Sequence, residues 1–245
     1  MKKLLVIPLA ASMLLLGGCS LFVGNTYTSQ ALYYDYSQME FIQFEEPEEG
    51  QTVAVIKTSK GDITAVLYPE YAPNTVDNFV NRANDGYYDN TKIFGIFEGY
   101  YAATGSSSED GTTGASNDGN LIENEYTPKL WPFKGALCSI SHVMGYGDSR
   151  YMICNTIEFD DKALEEIRAI PDKNKEQLFP DELIEAWAEH GAIPQFSGSL
   201  TVFGQVIDGM DVFDEIMSVG FDSETYKPNE DLTIYTVEIT EYKRG

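Results

Sequence analysis

The sequence predicts a mainly β domain, an antiparallel barrel with helices on its ends. Three observations carry this. β-rich runs recur between residues 52 and 242, separated by turn residues. Two amphipathic core helices lie far apart in the chain. No internal repeat is visible that would argue for a solenoid or propeller.

The elements follow in order. Thr52–Thr58 and Asp62–Leu67 flank a Ser59-Lys60-Gly61 turn and read as a hairpin. Pro73 suits the first turn of a helix. Val76, Phe79, Val80 and Ala83 then follow i, i+3, i+4, i+7 spacing, and Gly86 closes it. Ile93–Ala103 is apolar and aromatic, whereas Ser106–Asn120 is a polar, glycine-rich loop whose acids lack EF-hand spacing. Ala136–Ile140 and Tyr151–Cys154 read as short strands around a Gly145-Tyr146-Gly147-Asp148 turn. Residues 161–191 look helical and acidic. Leu164, Ile167 and Ile170 form one stripe there, and a second helix begins at Pro180, is lined by Leu183, Ile184 and Trp187, and stops at Gly191. Leu200–Ile207 is a strand, Met210–Val219 a helix, and Leu232–Tyr242 the last strand.

Before this domain lies a leader. Lys2 and Lys3 precede an apolar run from Leu4 to Leu16, shorter than the ~20 residues that span a bilayer. That pattern reads as a secretory signal peptide, residues 1–18. Leu16-Gly17-Gly18-Cys19 resembles the lipobox of bacterial lipoproteins, which implies that Cys19 becomes the lipidated first residue. The expected location is the extracytoplasmic face of a membrane, with a covalent lipid as the anchor. Residues 19–50 form an acidic tether, yet Tyr27, Tyr33, Tyr34, Tyr36, Phe41 and Phe44 are too many aromatics for a purely solvated linker. Some of it should pack on the domain or on a partner. The domain proper is placed at 51–243, with the helical stretch at about 157–195 as an insertion.

Lys and Arg number 16 against 39 Asp and Glu, a net charge of −23. Such a chain repels phosphate backbones and anionic lipid alike, so nucleic acid is excluded as a natural partner. Of three cysteines, Cys138 and Cys154 fall inside the domain. Outside the cell they form a candidate disulfide, with two buried thiols as the alternative. Two histidines and these cysteines are too dispersed for a metal site, and nothing calls for a cofactor.

Four segments, in this order, resemble the cyclophilin-type peptidyl-prolyl isomerases: Thr58-Ser59-Lys60-Gly61-Asp62-Ile63, the run from Leu67 through Ala72-Pro73-Asn74-Thr75-Val76 to Phe79, Gly86-Tyr87-Tyr88-Asp89, and Thr201-Val202-Phe203-Gly204 through Gly209-Met210-Asp211-Val212. The resemblance implies a closed eight-stranded antiparallel barrel capped by two helices, and a partner that is a proline-containing peptide or an envelope or secreted protein.

It is weakest at the chemistry. Rotation about an Xaa-Pro bond meets a barrier of ~18–20 kcal/mol. A catalyst must hold the proline ring in an apolar pocket and aim a donor at the twisted amide. In the family that donor is an arginine in "F-H-R-x-I-P-G-F-M-x-Q-G-G". Aligned without gaps, Ile96 falls at the arginine, Tyr101 at the pocket phenylalanine, Ala102 at the methionine and Thr104 at the glutamine. The resemblance likewise places Arg150 at a glutamine, Met152 at a pocket phenylalanine, Ile140 and Ser141 beside the groove, Gln195 at the tryptophan next to Phe196, and Leu200 at a histidine. The expected peptide-binding set is Ile96, Tyr101, Ala102, Thr104, Ile140, Ser141, Arg150, Met152, Phe196 and Leu200. The expectation is therefore a binder of Xaa-Pro or extended segments with weak or lost turnover. The alternative is an active isomerase and folding chaperone that uses Arg150, oriented by Glu98 or Asp148, in place of the missing arginine.

Overall fold

A computed structural model describes residues 30–97, 99–170 and 177–244. The leader, Cys19, the start of the tether and Glu98 lie outside the described residues.

The chain forms β1 (Thr52–Thr58), β2 (Gly61–Leu67), α1 (Pro73–Asn84), β3 (Thr91–Lys92), β4 (Gly95–Phe97), β5 (Tyr101–Thr104) and β6 (Ile122–Glu123). β7 (Ala136–Ser139), β8 (Tyr146–Gly147), β9 (Tyr151–Cys154), α2 (Asp161–Arg168), α3 (Asp181–His190), β10 (Thr201–Asp208), α4 (Met210–Ser218) and β11 (Thr233–Glu241) follow. The main sheet has nine strands in the order β3-β11-β1-β2-β10-β7-β9-β5-β4, and β6 pairs with β8 apart from it. This departs from the expected closed, eight-stranded ring in two respects: the sheet counts nine strands, β3 and β4 being separate, and no ladder joins β3 to β4. The two edge strands are consecutive in the chain, separated by Ile93 and Phe94. The Ile93 N–H bonds the Leu232 carbonyl at 3.1 Å on one side of the gap, and the Phe94 N–H bonds the Ala103 carbonyl at 2.9 Å on the other. The sheet therefore curls until its ends meet through covalent chain.

Alternation along the strands divides the side chains between two cores. Ala54, Ile56, Ile63, Leu67, Ile96, Ala102, Leu137, Tyr151, Ile153 and Phe203 fill the interior together with Val76 and Phe79 of α1 and Phe213 and Ile216 of α4. Each large apolar side chain so buried contributes about 1.5–3 kcal/mol. Pro73 starts α1, and the Glu125 carboxylate caps it from fifty residues away: Oε1 accepts from the Asn74 N–H at 3.0 Å and Oε2 from the Thr75 N–H at 2.9 Å. Before α4, Gly209 has φ +82° and passes so close to β2 that a Cβ would lie 2.3 Å from the Asp62 carbonyl oxygen. Only glycine fits there.

A separate cluster builds the insertion onto the barrel. Trp131, Phe133, Phe179, Leu183 and Trp187 pack with Ala31, Tyr34, Tyr36, Met39 and Phe41. The later part of the tether is thus a strap on its own domain. The buried Gln43 fastens it, since its Nε2 donates to the Trp131 carbonyl at 2.9 Å and its Oε1 accepts from the Trp131 N–H at 2.7 Å. Trp187 is fully buried between Trp131 and Phe179, so it packs the insertion.

Candidate functional site

The hairpin of β4 and β5 sets the geometry. Its register pairs Gly95 with Ala103, Ile96 with Ala102 and Phe97 with Tyr101. β5 then pairs with β9, placing Tyr101 opposite Cys154, Ala102 opposite Ile153 and Ala103 opposite Met152. Residues directly opposite share a face of the sheet. Ile96 and Ala102 therefore point inward and join the barrel interior, Ile96 with no exposed surface. Phe97, Tyr101, Ala103 and Met152 point outward and pack with Phe196 and Val202.

The structure brings together Tyr101, Met152 and Phe196 from the expected set, with Ile140 and Leu200 half-buried against the same cluster. It does not bring Ile96 or Ala102 there. Thr104 is buried and donates through Oγ1 to the Lys92 carbonyl at 2.9 Å. Ser141 shapes the neighbouring turn: its Oγ lies 2.9 Å from the Val143 carbonyl oxygen and 2.8 Å from that of Tyr146, which share its single proton.

Two aromatic residues at this face were not singled out by sequence. Phe97 stacks on Tyr101 with centroids 4.8 Å apart, and Tyr226 lies over Phe97 at 5.1 Å. Tyr226 has φ +58°, strained for a bulky residue. Its carbonyl accepts the Ile96 N–H at 2.9 Å, which ties its loop to β4. Phe196 meets Tyr101 edge-on at 5.7 Å. The Phe97 ring occupies the space over Gly95, where a Cβ would approach it to 2.5 Å. What gathers here is aromatic and aliphatic carbon.

Arg150 is committed elsewhere. Its Nε donates to Asp148 Oδ1 at 3.0 Å, Nη2 to Asp148 Oδ2 at 2.5 Å and Nη1 to the Gly111 carbonyl at 2.8 Å. Nη2 also lies 3.1 Å from His142 Nδ1. The two side chains of the pair are 7% and 1% exposed. The clamp pins the loop around Gly111 to β9. The other three arginines are also engaged: Arg168 with Asp181, Arg244 with Glu46, and Arg82 with the Ser116 carbonyl. Within the same outward cluster, Cys138 and Cys154 are free thiols with sulfurs 3.6 Å apart, and burial pushes the Cys154 thiol up. Among the described residues no group of three or more His, Cys, Asp or Glu could hold a metal ion. No helix among them is long and apolar enough to cross a membrane.

The family model described as "Cyclophilin type peptidyl-prolyl cis-trans isomerase/CLD" matches residues 53–239. A protein of Staphylococcus aureus strain USA300 named "Putative peptidyl-prolyl cis-trans isomerase" is 28% identical over 200 residues, covering 80% of this chain and 95% of its own. One of the same name from Staphylococcus saprophyticus is 29% identical over 187 residues, covering 76% and 91%. Among solved structures, a cyclophilin-type peptidyl-prolyl cis-trans isomerase of Cryptosporidium parvum, crystallised in the presence of the dipeptide Ala-Pro, superposes with a TM-score of 0.59. It is 21% identical, and the match covers 77% of this chain and 98% of that one, a likeness of fold.

Proposed function

Because the chain belongs to the cyclophilin-type peptidyl-prolyl cis-trans isomerase family, we propose that it binds Xaa-Pro or extended peptide segments on the outward face of β4, β5 and β9 and turns them over weakly or not at all. The family's Cryptosporidium member was crystallised in the presence of Ala-Pro, and Phe97, Tyr101, Met152, Phe196 and Tyr226 gather the apolar carbon such a ligand needs; the first four are buried, so a proline ring must part them to enter. Its clients are secreted or envelope proteins, and Cys19, placed as in a lipobox, carries the lipid that holds it at the extracytoplasmic face of a membrane.

One observation carries the weak-catalysis reading: every arginine is bound to an acid or a carbonyl, and the one nearest the expected groove in sequence is buried against Asp148. Absence of a preorganised donor typically costs a factor of ~10²–10³. Recruiting Arg150 would strand the buried Asp148 carboxylate, at a cost of about 3–5 kcal/mol. A protease-coupled assay on an Ala-Pro peptide tests the reading. The expected rate stays within tenfold of the uncatalysed reaction. An acceleration above a thousandfold, abolished by Arg150→Ala, would establish the active isomerase instead.

A further inference from the structure

We propose that Cys138 and Cys154 are a cross-strand modification site, closing to an intramolecular disulfide when the chain folds in the presence of a disulfide oxidant. The two residues sit on adjacent antiparallel strands, Cys138 opposite Met152 and Cys154 two positions further along β9. Their sulfurs are already in contact at 3.6 Å, whereas a bond needs about 2.05 Å, so closure asks for a shift of about 1.5 Å. Both side chains are fully buried, so neither has a competing partner in solvent once the chain is folded.

The chemistry is an exchange with a low-molecular-weight or protein disulfide. The Cys138 thiolate attacks one sulfur of the oxidant, breaking its S–S bond and releasing one thiol. The Cys154 thiolate then attacks the Cys138 sulfur of the mixed disulfide and releases the second thiol. The cysteine pair loses two electrons and two protons, and the oxidant gains both as two thiols. Burial makes this step belong to folding. Neither sulfur is exposed in the folded chain, so the oxidant cannot reach them there, and burial disfavours the Cys154 thiolate that completes the bridge. The redox state set while the barrel closes is thereafter protected. The bridge would also fix the spacing of β7 and β9 beside Tyr101 and Met152 on the same face.

The test folds the full chain from denaturant with excess glutathione disulfide or with dithiothreitol, followed by alkylation, trypsin and non-reducing peptide mapping. Cleavage at Lys134, Arg150 and Lys162 puts Cys138 and Cys154 on separate fragments, 135–150 and 151–162. The oxidised sample should give these two fragments covalently joined and melt about 6–12 °C above the reduced one, as expected for closing a loop of this length. Cys154→Ala, folded alongside, should show no redox-dependent melting. Adding the oxidant only after folding should slow bridge formation more than tenfold. Separate, doubly alkylated fragments from correctly folded oxidised protein would overturn the proposal, as would a cross-link to the fragment carrying Cys19. Equal rates before and after folding would overturn the protective role of burial.

Discussion

Arg150 is a cation whose surroundings decide its role. An arginine carries five N–H donors in a fixed fork, and here the fork is spent on one carboxylate, one carbonyl and the edge of an imidazole. A buried pair of this kind contributes modestly as a whole but is costly to break. Asp148→Ala should therefore destabilise the fold by about 3–5 kcal/mol in urea denaturation. Asp148→Ala combined with Arg150→Leu should recover part of that loss. Equal loss in the single and double variants would show that the ion pair is not the reason. The residue type at each site position was legible in the sequence; where the side chain points was not fully used. Aligning Ile96 with the family's arginine treats residues as a string. Once Tyr101 faces outward, the period of two and a tight turn require Phe97 to face outward and Ile96 inward. Tyr226 had no such signal, because its place depends on a left-handed turn in a distant loop.

At the scale of elements, the strap and the insertion stabilise each other. Residues 30–44 bring aromatic rings onto Trp131 and Phe133, and α2 and α3 close the same cluster from the other side. The excess of tyrosine and phenylalanine in the tether was readable as packing surface, because solvated linkers do not carry it. The surface it would cover was not readable, since Trp131 and Phe133 lie in an irregular segment with no periodic signature. The polar fastening is Gln43, whose amide also meets Gln205 Oε1 at 2.8 Å on β10. Removing it leaves the Trp131 N–H and the Gln205 carbonyl oxygen without this partner. Gln43→Ala should cost about 1–3 kcal/mol and raise amide hydrogen exchange at Trp131 and along residues 30–44 before it affects β1 and β2. Uniform exchange across the barrel would mean that strap and barrel open as one unit.

For the molecule as a whole, the architecture is that of the cyclophilin-type family. The turn glycines, the helix-starting Pro73 and the interior apolar residues are those a cyclophilin barrel requires, which is why the fold was legible from matched segments. Barrel closure was less so. A strand interrupted at Ile93 and Phe94 leaves two ladders where a regular strand would give one, and no residue pattern distinguishes the two. On the outer face of β4, β5 and β9 the rings of Phe97, Tyr101, Phe196 and Tyr226 pack together. The most direct measurement is exchange NMR on a proline peptide with the full chain at equimolar concentration, reading occupancy and cis–trans exchange in one sample. The account predicts shift changes centred on Phe97, Tyr101, Met152 and Tyr226 while the exchange rate stays within tenfold of the free peptide. A thousandfold faster exchange, or perturbations that leave those four residues untouched, would contradict it.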